Sequence, residues 1–152
     1  AGQALLRVEP DHYDNLMAEI GLAAADDLIK AVAERVAGAL DAETLAARMS
    51  DHGFAVLCRA HDHKQSEAQA NRIREAFKGH IVELGERSLS LSVSIGGVQI
   101  GERIASVTQV MAKSGQCLAS CESMGGNRIE IFDPAARDRA EEERIQAWVQ
   151  RI

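Results

Sequence analysis

Aromatic side chains, cysteine and positive charge are all scarce in this chain, and each shortage removes a class of function. Only 3% of the residues are aromatic. The two stretches with strand-like alternation, SLSLSVSI and NRIEIF, carry none where a base could stack, which argues against an RNA-reading sheet. Asp and Glu outnumber Lys and Arg by 23 to 17, for a formal charge of −6. Gripping a phosphate backbone takes clustered cations, so no nucleic-acid partner is expected, although one local anion site is compatible with this balance. The three cysteines are an odd count. Cys58 falls in an expected strand, and Cys117 and Cys121 share one face of an expected helix. They read as buried small hydrophobes in a reducing, cytoplasmic compartment and not as a disulfide framework. No apolar run approaches the roughly 20 residues that cross a bilayer, and the opening AGQALLRVEP lacks the basic-then-apolar order of a secretory leader. No membrane contact is expected of this segment.

What is present is enough apolar material, 46% of 152 residues, for one compact core. ALLRV reads as a buried strand that Pro10 stops, since proline has no N–H to donate, and Asp11 stands where it could cap a helix ending near Gly21. From Ala23 to Leu40 the apolar positions Leu28, Val32 and Val36 form one helical stripe beside Ile29. TLAARM and FAVLCR are short apolar runs on either side of the polar turn Ser50-Asp51-His52-Gly53, the pattern of a β-hairpin. Residues 64 to 84 carry helical periodicity through Ala70, Ile73, Phe77, Ile81 and Leu84. SLSLSVSIGGVQI alternates as one strand with Leu89, Leu91, Val93 and Ile95 on a single face, and Gly96-Gly97 marks a bulge or a close backbone approach. A helix from about Glu102 to Ser123, with Val107, Met111, Leu118 and Cys121 inward, ends at Gly125-Gly126. NRIEIF is a last strand, and Pro134 opens a final helix. The order is β-α-α-β-β-α-β-α-β-α, whose β-α-β-β-α-β portion has the ferredoxin-like pattern.

Two other groups carry metal-ligand residue types. His61 and His63 flank Asp62, but beside Lys64 at the start of a polar helix they read as an exposed loop. Cys117 and Cys121 lack nearby ligands to complete a zinc set. No metal site is expected from either. The final helix is polar over Arg137 to Arg144 and then turns apolar at Ile145, Trp148, Val149 and Ile152, one stripe at helical spacing that needs a partner.

Element order and four stretches together resemble the GGDEF family, whose active members are diguanylate cyclases that join two GTP into cyclic di-GMP. EPDHYD stands where the family has Asp-x-Asp-x-Phe-Lys, and GLAAADDLIKAVAERV resembles its Gly-His-x-x-Gly-Asp-x-x-Leu helix. AARMSDHGFAVL matches the segment bearing the signature, and LSVSIGGV with MGGNRIEIF matches the closing strands. The resemblance covers residues 4 to 133. It implies an α/β (α+β) nucleotidyl-cyclase palm: a mixed, mostly antiparallel five-stranded sheet covered by helices. It also implies two regions, residues 1 to 133 as a degenerate GGDEF domain and residues 134 to 152 as a connecting helix.

Carried over one residue at a time, the family's functional groups are mostly gone. The first Asp of the opening pattern, a cation ligand in active members, falls on Glu9. The signature Gly-Gly-Asp-Glu-Phe falls on Ser50, Asp51, His52, Gly53 and Phe54, which puts Gly53 where a metal-binding Glu is expected. The guanine-reading Asn falls on Met17 while its companion Asp survives as Asp26, and the early Lys becomes Asp14. The Lys and Arg that hold the triphosphate fall on Glu122 and Gly126, and the Arg-x-x-Asp product site falls on Asp41 and Thr44. The resemblance therefore implies no catalytic residues, no metal and no cofactor, with Glu9 and Asp26 as remnants of nucleotide binding. The function implied is a regulatory or association module in cyclic di-GMP signalling, the alternatives being GTP binding without turnover and weak cyclase activity. Domains eroded in this way precede EAL phosphodiesterase-type domains in FimX-like proteins tied to type IV pili. A downstream EAL domain in the same chain is thus the expected partner, and a homodimer is compatible with the family.

Overall fold

The structure, a computed structural model, describes residues 2–101 and 106–133 together with Arg144, Ile145, Ala147 and Trp148. Strand β1 (Gln3–Pro10) is followed by helix α1 (Tyr13–Ile20), a single 3-10 turn (Leu22–Ala24) and helix α2 (Ala25–Gly38). Then come β2 (Leu45–Arg48), β3 (Phe54–Arg59), α3 (His63–Ala76), β4 (Ile81–Leu84), β5 (Arg87–Ser90), β6 (Val93–Ile100), α4 (Val107–Ser123) and β7 (Ile129–Phe132). The main sheet has five strands in the order β2-β3-β1-β6-β7. Every neighbouring pair is antiparallel except β6 and β7. This is the mostly antiparallel, helix-covered sheet expected from the sequence.

Alternation along β1 assigns the two faces. Ala4, Leu6 and Val8 are fully buried on one side with Leu28, Val32 and Ile73 of α2 and α3. Each of the Leu, Val and Ile side chains contributes about 1.5–3 kcal/mol by leaving water. The other side is covered by α4, and Gly96 and Gly97 make this two-sided packing possible. A Cβ on Gly96 would overlap the backbone N of Leu118 and lie 2.5 Å from the carbonyl of Ser114. One on Gly97 would lie 2.6 Å from Leu6 Cδ2 on the opposite face. The pair is a close approach and not a bulge, because Gly96 stays in register with Arg7 on one side and Glu130 on the other.

Four expectations are corrected. The helix expected over residues 64 to 84 ends at Ala76, and Ile81 to Leu84 instead pair with Arg87 to Ser90 in a separate hairpin. Gly79 (φ 69°) and Gly85 (φ 64°) take the left-handed conformations that end the helix and turn the hairpin. The single strand expected from Ser88 onwards is divided: Leu89 lies in β5, and β6 begins only at Val93. Between them Ser92 turns its carbonyl to the N–H of Asp11. Asp11 caps no helix. His12, at φ 55°, occupies the N-cap position of α1, and Asp11 is buried with 5% of its surface exposed. In α4, Ser106 is the cap and Val107 faces water. Of the final helix from Pro134, only the four residues named above are described; they are helical except that Gln146 between them is not described, and Ile145 and Trp148 expose 58% and 65% of their surface. No helix among the described residues is long and apolar enough to cross a membrane.

Candidate functional site

A cleft of about 350 Å³ opens at the end of β1, between α1, the β2-β3 turn and the end of α4. Asp11, Tyr13, Asp14, His52 and Glu122 are among the residues lining it, and neither Lys nor Arg is. Behind it Glu9 projects from β1 on the α4 side. The His52 Nε2 lies 3.4 Å from Glu9 Oε2, and the imidazole stacks on Tyr13 with centroids 4.2 Å apart and planes within 9°.

The Ser50-Asp51-His52-Gly53 turn is held by its own hydrogen bonds. Met49 N–H donates to the Gly53 carbonyl at 2.8 Å, and Gly53 N–H donates to Ser50 Oγ at 3.0 Å. Arg48 closes it from outside, with Nε donating to the Ser50 carbonyl at 3.0 Å and Nη2 to that of Asp51 at 2.6 Å. The Asp51 side chain is exposed. A Cβ on Gly53 would lie 3.4 Å from Glu9 Oε1 and 2.7 Å from Ser50 Oγ. A longer side chain at position 53 would therefore run against Glu9, and the Ser50 hydroxyl now takes part of that space. Phe54 is buried in the core.

Glu122 approaches Glu9 from α4. Crowding by surrounding protein, the hydrogen bond with Glu9, and the charges of Glu9 and Asp11 push its carboxyl up to about 7 from 4.5, against the pull of Arg7. The folded chain then binds a proton between about pH 4.5 and 7 that the unfolded chain has released. That contribution to stability is whole below the window, declines as pH rises through it, and is gone above. Because Glu122 still meets water the slope is shallow. Glu122→Gln is expected to flatten it in thermal melts from about pH 5 to about pH 8; an unchanged slope would place the proton elsewhere.

Asp11 is the residue the sequence reading misplaced. Its Oδ1 accepts from Ser94 Oγ at 2.6 Å, and its Oδ2 accepts from Ser92 Oγ at 2.5 Å and from Asn127 N–H at 2.7 Å. It fastens the α4-β7 loop to the start of β6. Gly126 is left no room for a side chain there: its φ is 82°, and a Cβ would lie 2.5 Å from the Asp11 carboxyl carbon.

The other carried-over positions do not converge on the cleft. Asp26 is exposed in the first turn of α2 and does not line it. Met17 packs partly buried against the core. Asp41 faces Arg72 at 3.8 Å, and the Thr44 N–H donates to the Asp41 carbonyl in a tight turn. His63 pairs with Glu67 at 3.2 Å, and Asp62 caps α3 by accepting from Gln65 N–H at 2.8 Å. All three cysteines are buried and free, and burial pushes each thiol up to about 11, which keeps them protonated.

Comparison with known proteins places this arrangement. The family model described as "Diguanylate cyclase, GGDEF domain" matches residues 2–128. The chain belongs to the GGDEF family. The crystal structure of the FimX GGDEF domain from Pseudomonas aeruginosa superimposes with a TM-score of 0.79 at 27% identity, covering 86% of this chain and 80% of that one. The active GGEEF domain of a diguanylate cyclase from Vibrio cholerae shares the fold, with a TM-score of 0.75 at 15% identity over 86% of this chain and 83% of that one. An uncharacterised protein of Mycobacterium tuberculosis is 29% identical over 131 residues, 85% of this chain and 21% of that protein. The cyclic di-GMP phosphodiesterase NbdA of Pseudomonas aeruginosa is 23% identical over 93% of this chain and 18% of its own length. This GGDEF domain thus spans about a fifth of the length of the curated relatives it matches.

Proposed function

We propose that this GGDEF domain makes no cyclic di-GMP and works as a regulatory or association module in a cyclic di-GMP signalling protein. One observation carries the reading. Glu9, the carboxylate left from the family's cation site, faces the bare backbone of Gly53, the imidazole of His52 and the carboxyl of Glu122. Sites that handle nucleotide phosphates hold their cations with one or two protein carboxylates plus phosphate and water. Here one carboxylate is missing and the other is taken up by a histidine and a second acid, so the residues present do not fit the cation pair of active members. Where a triphosphate would need Lys and Arg, Glu122 presents an acid and Gly126 has no side chain. Losing one preorganised charge-stabilising group costs roughly 3 kcal/mol in a transition state, and several are lost together.

The surrounding protein is proposed from two supports. The relatives are about five times longer than the match, and Ile145 and Trp148 present large apolar side chains that the described part of the domain leaves exposed. We place an EAL domain beyond residue 152, in a cytoplasmic protein. A solved EAL/GGDEF domain protein from M. capsulatus shares this fold, with a TM-score of 0.78.

Calorimetric titration separates this from the second reading, a GTP sensor without turnover, which the surviving Asp26 and Glu9 keep open. GTP with Mg²⁺ and cyclic di-GMP should each give no saturable heat. Saturation by GTP would replace the proposed reading by a nucleotide sensor, and saturation by cyclic di-GMP would contradict the loss of the Arg-x-x-Asp site at Asp41 and Thr44.

A further inference from the structure

Among the described residues, strand β2 forms one edge of the main sheet and lacks the usual protections of an edge. All four residues, Leu45 to Arg48, are exposed. The strand holds neither proline nor glycine and pairs with β3 residue for residue, without a bulge. Its one charged side chain, Arg48, is folded back onto the Ser50 and Asp51 carbonyls. Leu45 is 68% and Met49 40% exposed, on the sheet face they share with half-buried Leu57 and Ala55.

The free backbone groups follow from the pairing. Met49 N–H bonds to Gly53, and antiparallel ladders alternate, so Leu45, Ala47 and Met49 turn their amides to β3. Ala46 and Arg48 turn theirs outward. A two-fold axis perpendicular to the sheet brings a residue opposite itself. With the axis at Ala47, Ala46 of one copy meets Arg48 of the other, so that the outward N–H and C=O groups of both are satisfied on each side of the axis. The same register sets Leu45 against Met49 of the second copy twice, in the non-hydrogen-bonded positions where side chains lie closest. Ala47, at the axis, is small enough for two copies to face each other. The flanking acid Glu43 is already paired with Arg59 at 3.2 Å.

We propose that β2 pairs antiparallel with β2 of a second copy of this chain about a two-fold axis at Ala47, joining two five-stranded sheets into one. None of residues 45 to 49 lines the cleft, and the inference does not rest on the domain being inactive.

Sedimentation equilibrium should show a concentration-dependent dimer that Leu45→Lys converts to monomer; at concentrations too low for the dimer, variant and parent should melt at the same temperature, because Leu45 is exposed in the single chain. Mild oxidation should cross-link Ala47→Cys to itself and leave Ala46→Cys uncross-linked, since in this register each residue 46 faces residue 48 of the other copy and the two copies of residue 46 lie diagonally, beyond the roughly 7 Å Cα separation a disulfide tolerates. The native thiols, buried and protonated, serve as the background. A monomer at every concentration, a dimer that survives Leu45→Lys, or equal cross-linking at positions 46 and 47 would each overturn the proposal.

Discussion

Asp11→Ala should lower the unfolding free energy by about 3–4 kcal/mol in urea titrations, although the residue lines a surface cleft. A hydrogen bond to a buried charged acceptor contributes about 1.5–3 kcal/mol, and removing the acceptor leaves its donors unsatisfied. Three donors converge here, Ser92 Oγ, Ser94 Oγ and Asn127 N–H, on a carboxylate that is 5% exposed. Asp11→Asn keeps one acceptor oxygen and should cost about 2 kcal/mol. Asp51→Ala should stay within about 0.5 kcal/mol, because the Asp51 side chain is exposed and its bond with Arg48 is made by the main-chain carbonyl. Near-equal losses for Asp11 and Asp51 would remove Asp11 from its role as the tie between β6 and the α4-β7 loop.

The second large effect is at Gly96. Here Gly96→Ala should cost about 3 kcal/mol or more, the upper end for overpacking, because the methyl would meet main-chain atoms of α4, including Leu118 Cα at 2.6 Å. Side chains can swing aside; a helix backbone has to move as a unit and would lift off β6 and β7. Gly38→Ala is the control. It lies at the end of α2 with nothing within 4 Å of its added Cβ, so relief of backbone entropy should stabilise the domain by about 0.4–1 kcal/mol. A neutral Gly96→Ala would mean that α4 sits farther from the sheet.

These two residues mark where sequence reasoning reached and where it stopped. Gly96-Gly97 was legible as a bulge or a close approach, because two adjacent glycines inside a strongly alternating strand give up side-chain packing on both faces of the sheet, and the unbroken register with Arg7 and Glu130 decides for the close approach. Asp11 was not, because its partners lie 81, 83 and 116 residues away and a local rule, Asp before a helical stretch, offered a competing role. The β4-β5 hairpin was hidden for a similar reason. Phe77, Ile81 and Leu84 continue the helical spacing of Ala70 and Ile73, and only the positive φ of Gly79 and Gly85 breaks the periodicity. At the cleft, motif position alone brought Glu9, His52, Gly53 and Glu122 to one place, and they do meet. The stacking of His52 on Tyr13 and the carboxyl pair of Glu9 with Glu122 join residues far apart in the chain, which no local pattern links. Asp26, read as a companion of Glu9, lies outside the cleft lining because the start of α2 turns it to solvent.

Incubation of the purified chain with GTP and Mg²⁺ or Mn²⁺, followed by chromatography of the nucleotides, tests the central claim most directly. The arrangement of Glu9, His52, Gly53 and Glu122 predicts that GTP is recovered unchanged and that cyclic di-GMP stays at the level of a protein-free blank. Accumulation of cyclic di-GMP in proportion to protein and time would contradict it.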